Sequence, residues 1–172
     1  MNPRTQLILV CILVAVGVVV AGELGRTLAG RGAQVGKPDG RDFSGTLVSG
    51  ERWSLGENKA RGPVVLSFFA TWCGPCQMEY PELVKLKRAY EKQHLEVVLI
   101  TRESKGEVLA VGELGRSPLP ILVDGGGIAE QYGVTAIPRT VFYDASGKLA
   151  MDVEGYDPSN IREIEKVLGP GG

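Results

Sequence analysis

Short apolar runs alternate with amphipathic stretches along most of the chain. Residues 63–69 (PVVLSFF) and 95–101 (LEVVLIT) are almost continuously apolar and rich in β-branched side chains. Runs of this length predict strands that are buried on both faces, as in a parallel sheet. Between the two runs, Leu83, Leu86 and Tyr90 recur at i, i+3 and i+7. This spacing predicts a helix with one apolar face.

The remaining folded part of the chain shows further strands, helices and hairpin turns. We predict a hairpin at 43–47 with 52–55, helices at 107–114 and 128–132, a strand at 120–124, a hairpin at 140–143 with 148–154, and a final helix at 158–168. Ser49-Gly50 and Ala145-Ser146-Gly147 are the hairpin turns. Strands that alternate with helices predict an α/β fold, with helices on the faces of a sheet.

The N-terminal segment has a different character from the rest of the chain. Residues 5–22 contain no charged side chain, and as a helix they rise about 27 Å, close to the hydrocarbon thickness of a bilayer. Residues 1–22 therefore predict a membrane anchor formed by one hydrophobic helix, or a cleaved signal peptide. Residues 23–36 are Gly-rich and predict a flexible linker, and residues 37–172 form the folded domain. Both interpretations place that domain outside the cytosol.

Composition excludes several classes of function. The chain has 19 basic and 20 acidic residues, for a net charge of −1, so it lacks the clustered positive charge that nucleic-acid binding requires. It is 44% apolar and 23% charged, which is ordinary for a globular protein. Three Cys and one His leave too few ligands for a metal site. We expect no metal, no cofactor and no nucleic-acid partner.

Candidate chemistry lies where the first apolar strand meets the helix. Cys73 and Cys76 are spaced C-x-x-C at this junction. A helix N-terminus stabilises an anion and lowers the pKa of a thiol, so Cys73 is predicted to be the more exposed, attacking thiol. Cys76, one turn further on, can resolve a mixed disulfide formed by Cys73. A structural disulfide, a pair of inert buried thiols and half of a zinc site are the alternatives.

Three motifs around this pair resemble those of a known family. They are Trp-Cys-Gly-Pro-Cys (72–76), Cys-Gln-Met-Glu-Tyr-Pro (76–81) and Gly-Val-Thr-Ala-Ile-Pro-Arg-Thr (133–140). In this order and spacing they resemble the thioredoxin superfamily, and most closely its membrane-anchored, extracytoplasmic branch of TlpA/ResA/DsbE type. The resemblance covers about residues 37–168. It implies a thioredoxin-like α/β fold, with a central mixed β-sheet flanked by helices and an extra N-terminal β-hairpin.

The resemblance also implies which residues meet a client protein. Gly74 and Pro75 separate the two cysteines, and Trp72 is expected to offer an apolar contact beside Cys73, although a core aromatic is the alternative. Pro138 is implied to be cis and to lie opposite the cysteine pair, whereas sequence alone favours a trans loop proline. There the backbone of Ile137 would pair with an extended client segment.

One departure from the thioredoxin pattern points to Glu79. Thioredoxins carry a buried Asp in the strand six residues before the first cysteine, and Ser67 occupies that position here. Glu79 follows Cys76 by three residues, so the two share a helical face. A partly buried carboxyl there could take the Cys76 proton during resolution. The alternative is a glutamate that only complements the helix dipole.

These features predict an extracytoplasmic thiol–disulfide oxidoreductase. The resemblance implies client proteins with disulfides or thiols, for example apocytochrome c in cytochrome c maturation, and a membrane electron-relay protein as redox partner. The Gly-Pro dipeptide matches thioredoxin, whose potential lies near about −270 mV, and so favours the reducing direction. A disulfide-inserting oxidase and a thiol peroxidase of the same fold are the alternatives. The predicted location is the cell membrane with the catalytic domain on the periplasmic side, or the periplasm if the N-terminus is cleaved.

Overall fold

The computed structural model describes residues 41–112 and 114–171. The predicted anchor or signal peptide (1–22) and the predicted linker (23–36) lie outside the described residues. Within the described part of the chain, no helix is both long enough and apolar enough to cross a membrane.

The described residues form seven strands and five α-helices. The strands are β1 (Ser44–Leu47), β2 (Arg52–Ser54), β3 (Val64–Phe68), β4 (Glu96–Thr101), β5 (Ile121–Val123), β6 (Arg139–Tyr143) and β7 (Leu149–Glu154). The helices are α1 (Leu55–Lys59), α2 (Gly74–Ala89), α3 (Lys105–Ala110), α4 (Ile128–Gln131) and α5 (Pro158–Leu168), with 3₁₀ turns at Glu91–Gln93 and Leu114–Arg116.

All seven strands join one mixed sheet in the order β2-β1-β5-β4-β3-β6-β7. The central strands β3, β4 and β5 are parallel, as their continuous apolar runs predict. The pairs β1–β2, β1–β5, β3–β6 and β6–β7 are antiparallel. The predicted mixed sheet flanked by helices is therefore confirmed, and the N-terminal hairpin is β1 with β2.

Alternation along β3 divides the core between the two faces of the sheet. Val65 lies in a cluster with the apolar residues of α2 and α5, whereas Val64 and Leu66 pack with residues of α1 and α4. Ser67 is the one polar residue of β3, is buried, and falls on the same side of the strand as Val65. The helix that carries the cysteine pair thus packs over the face that holds a buried hydroxyl.

The structure corrects the bounds of two predicted elements and adds one short helix. The strand predicted at 52–55 ends at Ser54, where a five-residue helix that the pattern did not predict begins. Ser54 caps this helix, because its hydroxyl accepts the backbone N–H of Glu57. The helix predicted at 107–114 is a six-residue α-helix, α3, followed by a 3₁₀ turn.

Candidate active site

The cysteine pair lies at the first turn of α2, directly beyond the C-terminal end of β3. Cys73 is the N-cap residue with extended backbone angles, and Pro75 lies in the first turn, where its missing N–H costs nothing. The backbone N–H of Cys76 donates to Cys73 Sγ at 3.2 Å. A thiolate at Cys73 would receive the same hydrogen bond and the positive end of the helix dipole.

Cys73 and Cys76 form a disulfide, with their Cα atoms 5.2 Å apart. In this oxidised form the two residues are 5% and 4% exposed, so burial does not distinguish the attacking from the resolving sulfur. The prediction that Cys73 is the more exposed thiol concerns the reduced protein. Gly74 and Pro75, which connect the cysteines, are exposed at the surface.

The loop that precedes β6 lies against the cysteine pair. Cys73 Sγ is 3.8 Å from the carbonyl oxygen of Ile137, and the Ile137–Pro138 peptide bond is cis. Pro138 is buried and Ile137 is partly exposed. The backbone of Ile137 therefore lies beside the sulfur of Cys73, at a position where a second extended chain could pair with it.

Glu79 is buried beneath this site, with 1% of its surface exposed. Its carboxylate accepts hydrogen bonds from the hydroxyls of Ser67 at 2.8 Å and Thr140 at 2.6 Å. Ser67 and Thr140 are directly opposite each other on β3 and β6, so the sheet presents both donors to one carboxylate. Burial raises the pKa of Glu79 above its ordinary value of 4.5, and the two hydroxyl hydrogen bonds oppose part of that rise.

The turn before the cysteines is held by two side chains that the sequence analysis did not single out. The backbone N–H of Thr71 donates to Glu103 at 2.6 Å, and its hydroxyl donates to the same carboxylate. Gln77 donates to the carbonyl oxygen of Thr71 at 2.8 Å. Trp72 follows this fixed residue and is 74% exposed, so it is a surface side chain beside Cys73 and not part of the core.

Two open pockets lie near the cysteine pair. One, of about 540 Å³, is lined by Cys76 and by largely apolar residues, among them Phe69 and Tyr80. The other, of about 260 Å³, is lined by residues that include Trp72 and Ile137. Both linings are largely apolar with a few charged side chains. Among the described residues, no three His, Cys, Asp or Glu side chains cluster as metal ligands would.

Comparisons with known proteins agree with this geometry. Residues 38–151 match the model of the AhpC/TSA family. The chain is 38% identical to the thioredoxin-like protein YneN of Bacillus subtilis over 120 residues, which cover 66% of this chain and 70% of YneN. It is 29% identical to the thiol-disulfide oxidoreductase ResA of Bacillus thuringiensis over 126 residues, 71% of this chain and 70% of ResA.

A solved structure extends the similarity to the fold. A Chlorobium tepidum protein described as a thiol:disulfide interchange protein DsbE superposes with a TM-score of 0.65 at 25% identity. The superposition covers 74% of this chain and 94% of that protein. The predicted resemblance to a TlpA/ResA/DsbE type of protein and the thioredoxin-like fold are both confirmed.

Proposed function

The chain belongs to the AhpC/TSA family and is a thiol–disulfide oxidoreductase of the thioredoxin fold, and from this premise we propose that it reduces disulfides in client proteins outside the cytosol. The observation that carries the proposal is the Cys73–Cys76 pair at the first turn of α2, with the Ile137 backbone beside it. A pair so placed can cycle between dithiol and disulfide.

The reaction transfers two electrons from the pair to the client. The Cys73 thiolate attacks one sulfur of the client disulfide, and the other client sulfur leaves as a thiolate. Cys76 then loses its proton and attacks Cys73 Sγ, which breaks the mixed disulfide and releases the second client thiol. The protein is left as the Cys73–Cys76 disulfide seen here, and an external dithiol must reduce it before the next cycle.

Glu79 is the proposed proton acceptor for Cys76. It lies one helical turn after Cys76 on the same helix, and both residues are buried. Its raised pKa brings the carboxyl nearer to the working pH than an exposed glutamate would be. Trp72 and the Ile137–Pro138 edge are the proposed client contacts, with Gly74 and Pro75 leaving the approach to Cys73 open.

The proposed setting is the outer face of the cell membrane. The uncharged residues 5–22 support either a membrane tether or a signal peptide, and both deliver the folded domain to that side. A reductant there needs electrons from across the membrane, so the proposed donor is a membrane electron-relay protein with a dithiol. The proposed clients are secreted or membrane-bound cysteine proteins such as apocytochrome c.

Reduction of insulin by dithiothreitol tests this function. The protein at catalytic concentration should accelerate the reduction, and Cys73→Ser and Cys76→Ser should each abolish the acceleration. Cys11→Ser, which removes the third cysteine of the chain, is the matched control and should keep full activity. Equilibration with a thiol–disulfide redox buffer then measures the reduction potential, which indicates whether the protein reduces or oxidises its clients. A potential near about −270 mV supports a reductant, whereas one near about −120 mV would make the protein an oxidase.

A further inference from the structure

Residues 132–138 form the loop between α4 and β6 and include Ile137, whose backbone lies beside Cys73. Hydrogen bonds to the neighbouring strand β7 hold this loop in place. Glu154 is the last residue of β7. Its Oε1 atom accepts the backbone N–H of Thr135 at 3.3 Å and the hydroxyl of Thr135 at 3.0 Å. One carboxylate oxygen at the end of β7 therefore holds the middle of the loop two residues before Ile137.

Arg139 connects the same carboxylate to the beginning of the loop. Its Nη1 donates both to Glu154 at 3.0 Å and to the carbonyl oxygen of Gly133 at 3.2 Å. Its Nε donates to Asp152 at 2.8 Å. The guanidinium and the two carboxylates of β7 thus fasten both halves of the loop to the sheet.

We propose that Glu154 is a positioning residue for client binding, which fixes the 132–138 loop so that the Ile137 backbone is held ready to pair with an extended client segment. This inference rests on the proposed function, because it concerns the same site. Glu154 acts through Thr135 and Arg139 and does not act on the reacting sulfur atoms.

The local environment suits this role. The side chain of Arg139 is 17% exposed, whereas that of Glu154 is exposed, at 36%. The ion pair alone therefore contributes little, and the role rests on the network that this one carboxylate forms with Arg139 and with both donors of Thr135. The hydroxyl and the backbone N–H of Thr135 hold the pKa of Glu154 below its ordinary value of 4.5. The carboxylate therefore stays charged at neutral pH and accepts all of its hydrogen bonds.

An ordered loop strengthens binding only of a client with a polypeptide backbone, because only such a client can pair with Ile137. Pairing with Ile137 requires the loop to be ordered, and an edge that is already ordered spares this entropy cost at binding. A small disulfide reaches Cys73 without pairing with the loop. Loss of the Glu154 contacts should therefore weaken peptide binding and leave reaction with a small disulfide unchanged.

Reduction of two disulfides tests the proposal, the first in steady state with dithiothreitol as the electron donor and the second in a single turnover by pre-reduced protein from which dithiothreitol has been removed. One substrate is a disulfide-bonded peptide with extended flanking residues, and the other is DTNB, an aromatic disulfide with no peptide backbone. For Glu154→Ala we expect KM for the peptide to rise about tenfold, the size that loss of one charge-assisted hydrogen bond produces. The kcat for the peptide and the rate with DTNB should match wild type.

Further variants separate positioning from a loss of folding. Glu154→Gln keeps an oxygen for Thr135 but loses the charge that faces Arg139, and it should give an intermediate KM. Thr135→Val removes only the hydroxyl and should give a smaller rise in the peptide KM. This variant tests the proposal even if Glu154→Ala folds poorly. Glu163→Ala is the matched control, because it removes an exposed carboxylate paired with Lys166 on α5. It should behave as wild type.

Two results would overturn the positioning role. One is a peptide KM equal to that of wild type in both Glu154→Ala and Thr135→Val. The other is an equal loss of rate with peptide and DTNB, which would assign the effect to the cysteine chemistry or to the fold. A wild-type protein that reduces neither substrate would instead refute the proposed function, so the two failures are distinguishable.

Discussion

Replacement of Glu79 by Gln tests the role of the buried carboxyl group, because it removes the titratable proton with little change in side-chain shape. The carboxylate accepts hydrogen bonds from Ser67 and Thr140, and a hydroxyl can serve as donor or acceptor. The amide of Gln can therefore satisfy both partners if one hydroxyl reverses its role. Glu79→Ala would instead leave two buried hydroxyls without their partner, at about 1–3 kcal/mol each, and is the poorer test.

The expected effect on rate follows from the role of a base. Removal of a general base typically costs about 10²–10⁴-fold, so Glu79→Gln should slow resolution of the mixed disulfide by at least about 100-fold near pH 8. In wild type the resolution rate should rise with pH as Glu79 loses its proton, at a pH above the ordinary 4.5 because burial raises its pKa. The variant should lack this rise.

The same pKa shift predicts a change in stability with pH. Because its pKa is raised, folded Glu79 binds a proton more tightly than unfolded Glu79, so the contribution of Glu79 to the free energy of unfolding falls as pH rises above 4.5. Glu79→Gln has no such proton to lose. Relative to wild type, the variant should therefore gain stability between about pH 4.5 and neutral pH, and this gain should vanish below pH 4.5.

Stopped-flow reduction of a model disulfide from about pH 5 to 9, together with urea unfolding at the same pH values, measures both effects. Glu82→Gln is the matched control, because Glu82 is a partly exposed carboxylate on the same helix, paired with Lys85. Rate profiles of Glu79→Gln and wild type that coincide across the range would refute the base role. Glu79 would then be a buried structural acid that joins α2 to the sheet.

Two further predictions concern the thiols and the N-terminus. Alkylation of the reduced protein near pH 7 should modify Cys73 before Cys76, because the start of α2 stabilises the Cys73 thiolate, and peptide mapping by mass spectrometry would reveal the reverse order. Full-length protein expressed in a bacterial cell should sediment with membranes and resist carbonate extraction if residues 1–22 form an anchor, whereas a soluble product that begins near Gly22 or Glu23 would identify a signal peptide.

The sequence predicted the framework of the fold because the periodic signals were strong. The continuous apolar runs placed β3 and β4, and the apolar stripe of Leu83, Leu86 and Tyr90 placed α2. The helix α1 was missed because five residues that include Gly56 and Asn58 cannot display an apolar stripe. Its one signal was Ser54 followed by Glu57 at the third helical position, the pattern of a capping box.

From spacing alone, the site was predictable only where its residues are close in sequence, whereas Ile137 and Pro138 were placed beside the cysteines by the resemblance of their motif. The spacing of Cys73, Cys76 and Glu79 on one helix identified all three as candidates. Ser67 and Thr140 donate hydrogen bonds to Glu79 across 12 and 61 residues of sequence. Both bonds depend on the register between β3 and β6. Hydrophobic periodicity assigns a residue to a face but does not set the register between distant strands.

The contacts of Glu103 and Glu154 were not predictable for the same reason. Glu103 reaches Thr71 across 32 residues, and Glu154 reaches Thr135 across 19. Each carboxylate lies in a part of the sequence that looks like ordinary solvated surface. Only the folded chain brings them to the two loops that border the cysteine pair.

Covalent trapping of a client shows directly whether Cys73 attacks the client disulfide and Cys76 resolves the product. Cys76→Ser leaves Cys73 able to attack a disulfide but removes the thiol that resolves the product. Incubation of the reduced variant with a disulfide-bonded client should yield a stable mixed disulfide, and mass spectrometry should locate the bond at Cys73. Cys73→Ser should yield no such adduct. An adduct at Cys76 in Cys73→Ser, or none in Cys76→Ser, would show that Cys73 is not the attacking thiol.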